Sequence, residues 1–72
     1  MKILKQDKDE LIEIEGDDGF VIEEDDKIFE IWLWKKDRYY VLGTYKSKAK
    51  ACKVLEEILN AGLQKQEQYV MP

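Results

Sequence analysis

A chain of 72 residues with a formal net charge of −4 has room for one small domain, because so short a chain buries only about 60% of its unfolded surface. The sequence contains no His and one Cys, which excludes imidazole-dependent catalysis, an internal disulfide and a Cys-clustered zinc site. No apolar run approaches the ~20 residues of a membrane span, and the opening residues do not resemble a signal peptide. We therefore expect one domain over residues 1–72, with no membrane partner.

Short strand-like runs fill the first part of the chain, and polar turns separate them. Residues 2–5 and 11–15 predict the first two strands, and the second run alternates apolar and acidic residues as a half-buried strand does. Residues 16–19, Gly-Asp-Asp-Gly, carry turn chemistry, because Gly tolerates a positive φ and Asp bonds its own backbone. We expect a returning strand at 20–23 and a second polar turn at 24–27.

The aromatic-rich runs 28–35 and 38–45 predict the strongest pair of strands, joined by a two-residue loop. In this register the residues that face each other on one side are Leu33 and Tyr40, Ile31 and Leu42, and Phe29 and Thr44. The pairs on the opposite side are Trp34 and Tyr39, Trp32 and Val41, and Ile28 and Tyr45. A slip of one residue would exchange the two faces.

One amphipathic helix follows the hairpin at residues 48–64, with Ser47 as its N-cap. Its apolar side chains form one broad arc suited to packing on a sheet: Ala51, Cys52, Val54, Leu55, Ile58, Leu59, Ala61, Gly62 and Leu63. Residues 65–72 form a tail in which 69–71 are available for a last strand or a docked arm. The expected fold class is therefore α+β, with an antiparallel meander of four or five strands packed by one C-terminal helix.

Both faces of the predicted hairpin are apolar, although one helix covers only one face of a sheet. Antiparallel sheets with one wet face usually carry polar residues there, and here only Glu30 fits that pattern well. Contiguous exposed aromatic surface on a small domain usually marks an interface or a ligand groove. We therefore expect a homo-oligomer, a dimer or larger, with two-fold pairing as the simplest arrangement. The alternative is a monomer whose tail or a long loop crosses the second face.

The residues needed for catalysis are poorly represented, so we expect no enzyme, no cofactor and no metal site. Cys52 lies inside the helix on the edge of the apolar arc, and neither Ser47 nor Thr44 has an imidazole to activate it. The acidic run 23–26 lacks the alternating ligands, central Gly and distal Glu of a calcium loop. Consecutive acids in a turn are more often solvated than ligating.

Binding chemistry is better represented, on the hairpin and at the start of the helix. The hairpin carries flat aromatic rings, on which a nucleotide base can stack, together with cationic side chains. The free N–H groups at the N-terminus of the helix favour phosphate. The candidate ligand-binding residues are Trp32, Trp34, Lys36, Arg38, Tyr39, Tyr45, Lys46 and Lys48. Trp, Tyr and Arg are equally the common residues of protein interfaces, and that alternative stays open.

Charge divides the chain into an acidic and a basic segment. Residues 7–30 hold twelve acids and two lysines, a net charge of −10, whereas residues 31–54 hold seven basic residues and one acid, a net charge of +6. The simplest interpretation is mutual neutralisation by neighbouring strands. The overall negative charge disfavours nucleic acid as a partner, although the basic middle third suits a small anion.

Three stretches of the chain resemble small proteins of Gram-positive phages and prophages. They are the opening MKILKQDKDELIEIE, the run YVLGTYKSKAKACKVLEEI over residues 40–58, and the ending YVMP. The shared pattern is a QDK turn, then YxLGxYKxxxxAxxVLxEI, then YxMP, and it covers about half the chain. This resemblance implies close packing at Gly43, a buried helix face and a phage setting, with the protein in the cytoplasm of the infected host. It carries no catalytic residue.

The sheet-plus-helix layout is also similar to that of phage sponge proteins that act against Thoeris and related nucleotide-signalling systems. This resemblance implies an oligomer that sequesters a cyclic nucleotide or a cyclic ADP-ribose-type messenger without cutting it, which is our leading hypothesis. The second hypothesis is a counter-defence protein that binds a host protein directly, with its acidic strands mimicking nucleic acid. The third is a small single-stranded nucleic-acid binder that uses the aromatic hairpin.

Overall fold

The computed structural model describes all 72 residues and contains six strands and one helix. In chain order the elements are β1 (Lys2–Leu4), β2 (Leu11–Glu13), β3 (Gly19–Asp25), β4 (Ile28–Lys35), β5 (Arg38–Tyr45), α1 (Lys48–Leu63) and β6 (Gln68–Val70). The α+β class and the single C-terminal helix are therefore confirmed. Helix α1, with 16 residues, is not long and apolar enough to cross a membrane.

The six strands divide between two three-stranded sheets, whereas we expected one meander. The first sheet has the order β2-β1-β6, with β6 parallel to β1, and the second is the antiparallel meander β3-β4-β5. A parallel pair needs a long crossover connection, and helix α1 lies in the connection that returns the tail to β1. Strands β2 and β6 occupy both edges of β1, and β3 pairs only with β4, so the meander does not continue from β2 into β3.

The expected register of β4 and β5 holds for the pairs nearest their turn, which are Trp34–Tyr39, Leu33–Tyr40 and Trp32–Val41. A β-bulge between Ile31 and Trp32 then shifts the pairing by one residue. The expected pairs beyond it are wrong, and the observed pairs are Ile31–Gly43, Glu30–Thr44 and Phe29–Tyr45. Because a bulge sets two residues of one strand against one of the other, the side chains after it change faces. Tyr45 accordingly lies on the core side.

Helix α1 and one face of each sheet enclose the hydrophobic core. The core cluster consists of Ile3, Ile12, Ile31, Leu33, Leu42, Tyr45, Ala51, Val54, Ile58 and Met71. The helix begins where expected, since the Ser47 side chain accepts a hydrogen bond from the Lys50 N–H at 3.1 Å. Leu59 and Leu63 belonged to the predicted apolar arc, yet they remain 53% and 82% exposed. The helix therefore packs along a narrower stripe than its sequence indicates.

The side chain of Gln6 joins the two sheets and the C-terminal tail. Its amide oxygen accepts a hydrogen bond from the Thr44 N–H at 2.8 Å, and its amide nitrogen donates to the Thr44 and Pro72 carbonyl oxygens at 3.2 and 2.9 Å. The Gln6 N–H donates to the Leu42 carbonyl at 2.8 Å, and the Tyr45 hydroxyl donates to Pro72 at 3.1 Å. Residues from all three stretches of the QDK…YxLGxYK…YxMP pattern thus meet at one structural junction.

Candidate binding surface

The side chains of the second sheet that point away from helix α1 form an aromatic face, defined here as Val21, Trp32, Trp34, Tyr39 and Val41. The rings of Trp32 and Tyr39 are stacked, with centroids 4.2 Å apart and an angle of 10° between their planes. Trp34 is tilted against both rings, at 6.3 Å from Trp32 and 5.2 Å from Tyr39. Because Trp34 is 41% and Tyr39 48% exposed, this cluster presents aromatic surface to solvent.

The local sequence explains why these rings meet. Side chains two residues apart along a strand share a face, which places Trp32 beside Trp34. The two-residue turn after β4 then sets Tyr39 opposite Trp34, and the Tyr39 ring reaches diagonally across to Trp32. None of the clefts of the molecule is lined by any of the three rings, so the ring cluster forms an open surface and not a pocket.

The same side of the sheet becomes acidic toward the β3–β4 turn. Glu23 of β3 lies directly opposite Glu30 of β4, and Asp25 lies opposite Ile28. The Glu30 carboxylate accepts a hydrogen bond from Trp32 Nε1 at 3.1 Å. The negative charges of Glu23 and Glu30 repel each other, because the two residues lie directly opposite. The side is therefore aromatic at one end and negatively charged at the other.

Three of the predicted ligand-binding residues come together in the aromatic face: Trp32, Trp34 and Tyr39. Lys36 lies at the same end of the sheet, in the turn between β4 and β5. The remaining four lie elsewhere, so one chain does not assemble the whole predicted site.

Arg38 and Tyr45 belong to the other side of the sheet. The Arg38 guanidinium lies 5.3 Å from the centre of the Tyr40 ring, and Tyr40 alternates in direction with Tyr39. Tyr45 is 6% exposed, and burial, followed by the nearby charge of Glu57, raises the pKa of its hydroxyl. Our placement of Tyr45 on the aromatic face is wrong, because the β-bulge turns its ring into the core.

Lys46 and Lys48 lie at the opposite end of β5 from Arg38 and the aromatic face. Lys46 follows Arg38 by eight positions, which corresponds to roughly 26 Å along an extended strand. Both lysines flank the start of helix α1, as expected. A small ligand stacked on Trp34 or Tyr39 of one chain is therefore out of reach of these two cations.

A second polar feature is a cleft of about 250 Å³ between residues 15–18 and the β4–β5 turn. The Asp18 side chain is 4% exposed, and its carboxylate accepts hydrogen bonds from Lys35 Nζ at 2.6 Å and from the Glu15 N–H at 2.8 Å. The hydrogen bond from Lys35 lowers the pKa of Asp18, and the same bond raises the pKa of Lys35. This ion pair fastens the turn at residues 15–18 to the end of β4.

Three carboxylates gather in this turn, which the sequence indicated only as turn chemistry. Oxygen atoms of Glu15, Asp17 and Asp18 lie within 4.8 Å of one another, a spacing that one cation can bridge. The negative charge of Asp18 is already balanced by Lys35, however, and the other two residues are exposed. The Asp18 carboxylate therefore serves local structure. Asp18 and Lys35 are 17 positions apart, so no local sequence pattern predicts their contact.

Comparison of the chain with protein-family models, curated proteins and solved structures found no match. The function is therefore inferred from the geometry and charge of these surfaces.

Proposed function

We propose that this protein is a non-catalytic binding protein that self-associates through its aromatic face. The observation that carries the proposal is the cluster of Trp32, Trp34 and Tyr39, with Trp34 and Tyr39 exposed, on the side of the sheet that helix α1 leaves uncovered. Trp and Tyr are among the residues that most often dominate binding at interfaces. A second copy offers the same flat surface, and a two-fold axis through the aromatic end holds the two acidic ends apart.

The size of the face predicts a weak association. Three adjacent strands of seven or eight residues make a surface of roughly 25 by 14 Å. The area of this face, about 350 Å², is well below the ~800 Å² that each partner buries in a stable protein interface. We therefore expect a dimer that dissociates at micromolar concentrations.

Sedimentation velocity across the micromolar range tests this association. The unchanged protein is expected to show a concentration-dependent dimer, and the double variant Trp34→Ala, Tyr39→Ala is expected to remain monomeric. Leu63→Ala is the matched control, because it removes an even more exposed apolar side chain from the end of helix α1, away from the aromatic face. A monomer at all concentrations, with Trp fluorescence fully accessible to a soluble quencher, would contradict the proposal.

Sequestration of a nucleotide messenger, in the setting of phage counter-defence, is a second candidate function. It is favoured by the open ring surfaces of Trp34 and Tyr39, which lie at the same end of the sheet as Lys36. Lys46 and Lys48 would contact such a ligand only if a second subunit supplied them, so this function depends on the oligomer.

Calorimetry against a panel of cyclic nucleotides and cyclic ADP-ribose isomers tests the second candidate. Lys36→Ala and Lys46→Ala are each expected to weaken binding roughly tenfold to a hundredfold through the loss of a charge-assisted contact. Lys53→Ala, on the exposed side of helix α1, is the control. If no member of the panel binds, nucleotide sequestration is dropped and the self-association proposal stands on its own test.

A further inference from the structure

Strand β3 has an open edge. It pairs with β4 on one side, and no hydrogen bond joins the backbone of residues 19–25 to any other part of the chain. The two-residue turn closes on the pair Asp25 and Ile28, and successive antiparallel pairs alternate between hydrogen-bonded and non-hydrogen-bonded. The residues that direct their N–H and C=O groups away from β4 are therefore Phe20, Ile22 and Glu24.

The opposite edge of the same sheet is occupied at residues 42–44. On β5, the Gln6 N–H donates to the Leu42 carbonyl, and the Gln6 side-chain amide bonds both the N–H and the carbonyl of Thr44. Gln6 thus takes the place of a neighbouring strand beside residues 42–44. Strand β3, which has no such partner along its whole length, is the longer open edge of the second sheet.

Four consecutive acids follow the open edge into its turn: Glu23, Glu24, Asp25 and Asp26. All four are exposed, and none of them forms an ion pair. Charges on an edge strand oppose pairing between two copies of the same edge. The same unpaired charges attract a cationic partner and repel the phosphates of a nucleic acid.

We propose that the β3 edge binds an extended basic segment of another protein, which adds to the second sheet as a fourth strand. Main-chain hydrogen bonds to Phe20, Ile22 and Glu24 supply the affinity, and alternate side chains supply the specificity. Lys or Arg residues of the segment lie beside Glu23 and Asp25 on the outer side. Apolar residues at the intervening positions cover Phe20 and Ile22, which are only half-buried.

The inference of a basic partner rests on the proposed function of this chain as a binding protein, but the partner binds a surface separate from the aromatic face. The aromatic face joins two copies of the chain, whereas the β3 edge remains open in each copy. The two interactions can therefore be tested independently with variants of different residues.

The test begins with an array of short extended peptides in which Lys, Glu, Thr and Val are varied at every position. We expect the bound peptides to carry Lys at alternate positions with apolar residues between them. Their counterparts with Glu in place of Lys are expected to bind about tenfold or more weakly. With the best peptide bound, hydrogen exchange should slow at the amides of Phe20, Ile22 and Glu24.

Two substitutions at one position separate the charge from the backbone donor. Glu24→Gln removes the charge and keeps the N–H, whereas Glu24→Pro removes both, and Pro is tolerated on the open edge of a sheet. Because Glu24 lies on the inner side of the sheet, away from Glu23 and Asp25, we expect nearly unchanged peptide binding for the first variant and no measurable binding for the second. Glu23→Gln, on the outer side, is expected to weaken peptide binding severalfold. Glu56→Gln, on the exposed side of helix α1, and Trp34→Ala, on the aromatic face, are expected to bind the peptide like the unchanged protein.

Equal binding of the Lys and Glu peptides would overturn the proposal, and so would a bound peptide that leaves the β3 amides unprotected. Protection of the same amides by self-association alone would assign the edge to a second copy and also overturn it. If peptide binding is intact but the protein does not self-associate, only the proposed dimer of the aromatic face is contradicted. If the protein self-associates but binds no peptide, only the partner proposed for the β3 edge is contradicted.

Discussion

Gly43 is the glycine with the closest surroundings in this chain. A Cβ atom at this position would lie 2.7 Å from the Tyr45 hydroxyl oxygen and 3.2 Å from the terminal methyl of Met71. The Tyr45 ring cannot retreat freely, because it is 6% exposed and its hydroxyl is bonded to Pro72. The φ of Gly43 is not positive, so space and not backbone freedom requires glycine here.

Gly43→Ala is therefore expected to lower the free energy of unfolding by about 1–3 kcal/mol, the usual cost of inserting atoms into a packed site. Urea denaturation measures the change. Gly16→Ala is the matched control, since nothing lies within 4 Å of its added Cβ, and its effect should stay within about 0.5 kcal/mol. Equal stability of the two variants would contradict the close approach at Gly43.

The ion pair between Asp18 and Lys35 predicts an acid-sensitive contribution to stability. The hydrogen bond from Lys35 lowers the pKa of Asp18 in the folded state. A lowered carboxyl pKa contributes stability above the ordinary value of about 3.9, and this contribution is lost as the pH falls through that range. On the Lys35 side, whose pKa is raised, the contribution is present below its ordinary pKa of 10.5 and is lost as the pH rises beyond it.

We therefore expect Asp18→Asn to be less stable than the unchanged protein at about pH 7, and the difference to shrink toward about pH 3. Urea denaturation at several pH values measures the free energy of unfolding of both proteins. Asp17→Asn, at a neighbouring exposed carboxylate without a hydrogen-bond partner, is expected to leave the pH dependence nearly unchanged. An identical pH dependence in the Asp18→Asn protein would contradict the role of this pair.

Among the elements, the β3–β4 turn carries the clearest backbone strain. Both of its central residues adopt a positive φ, 48° at Asp26 and 68° at Lys27. This conformation suits the twist of a two-residue hairpin, but it costs a residue with a Cβ roughly 1–2 kcal/mol. Gly pays no such steric cost.

Lys27→Gly is accordingly expected to raise the free energy of unfolding by about 0.5–1 kcal/mol. Thermal or urea denaturation gives the sign directly. Lys53→Gly makes the same chemical change inside helix α1, where Gly is unfavourable, and it should lower the free energy by about 1 kcal/mol. Destabilisation by both substitutions would show that the turn is not strained at Lys27.

At the scale of the whole molecule, the Gln6 side chain holds together parts that are distant in sequence. It bonds Thr44 and Pro72, which lie 38 and 66 positions away. Tyr69, in β6, adds a second link by donating its hydroxyl to Glu57 of helix α1 at 2.8 Å. Burial, followed by this bond to Glu57, raises the pKa of the Tyr69 hydroxyl.

We expect Gln6→Ala to lower the free energy of unfolding by about 1–3 kcal/mol, because Thr44 loses both hydrogen bonds to this side chain and Pro72 keeps only the bond from Tyr45. In the native protein the Thr44 N–H donates a hydrogen bond to the Gln6 side chain. Hydrogen exchange at this amide should therefore accelerate more in the variant than exchange in β4 does. Gln68→Ala is the control, since its exposed side chain makes no hydrogen bond. An unchanged Thr44 exchange rate in the Gln6→Ala protein would contradict this link between the sheets.

Elements specified by neighbouring residues could be predicted from the sequence alone. Ser47 marks the start of helix α1, and the two-residue turn sets Trp34 opposite Tyr39. In both places the deciding interaction joins residues only a few positions apart. The aromatic cluster of the candidate surface follows from the same local rules, because strand alternation places Trp32 and Trp34 on one side.

Tertiary structure alone decided the division into two sheets and the side on which Tyr45 lies. β6 pairs with β1 across more than sixty positions, and such short strands carry too little sequence to indicate this pairing. The β-bulge moves Tyr45 into the core, and its position depends on packing beside Gly43, Met71 and Pro72. The sequence by itself determined the fold class, the hairpin turn and the helix, because these arise from local contacts. The burial of Tyr45 and the open edge of β3 depend on contacts between distant segments, which only the folded chain brings together.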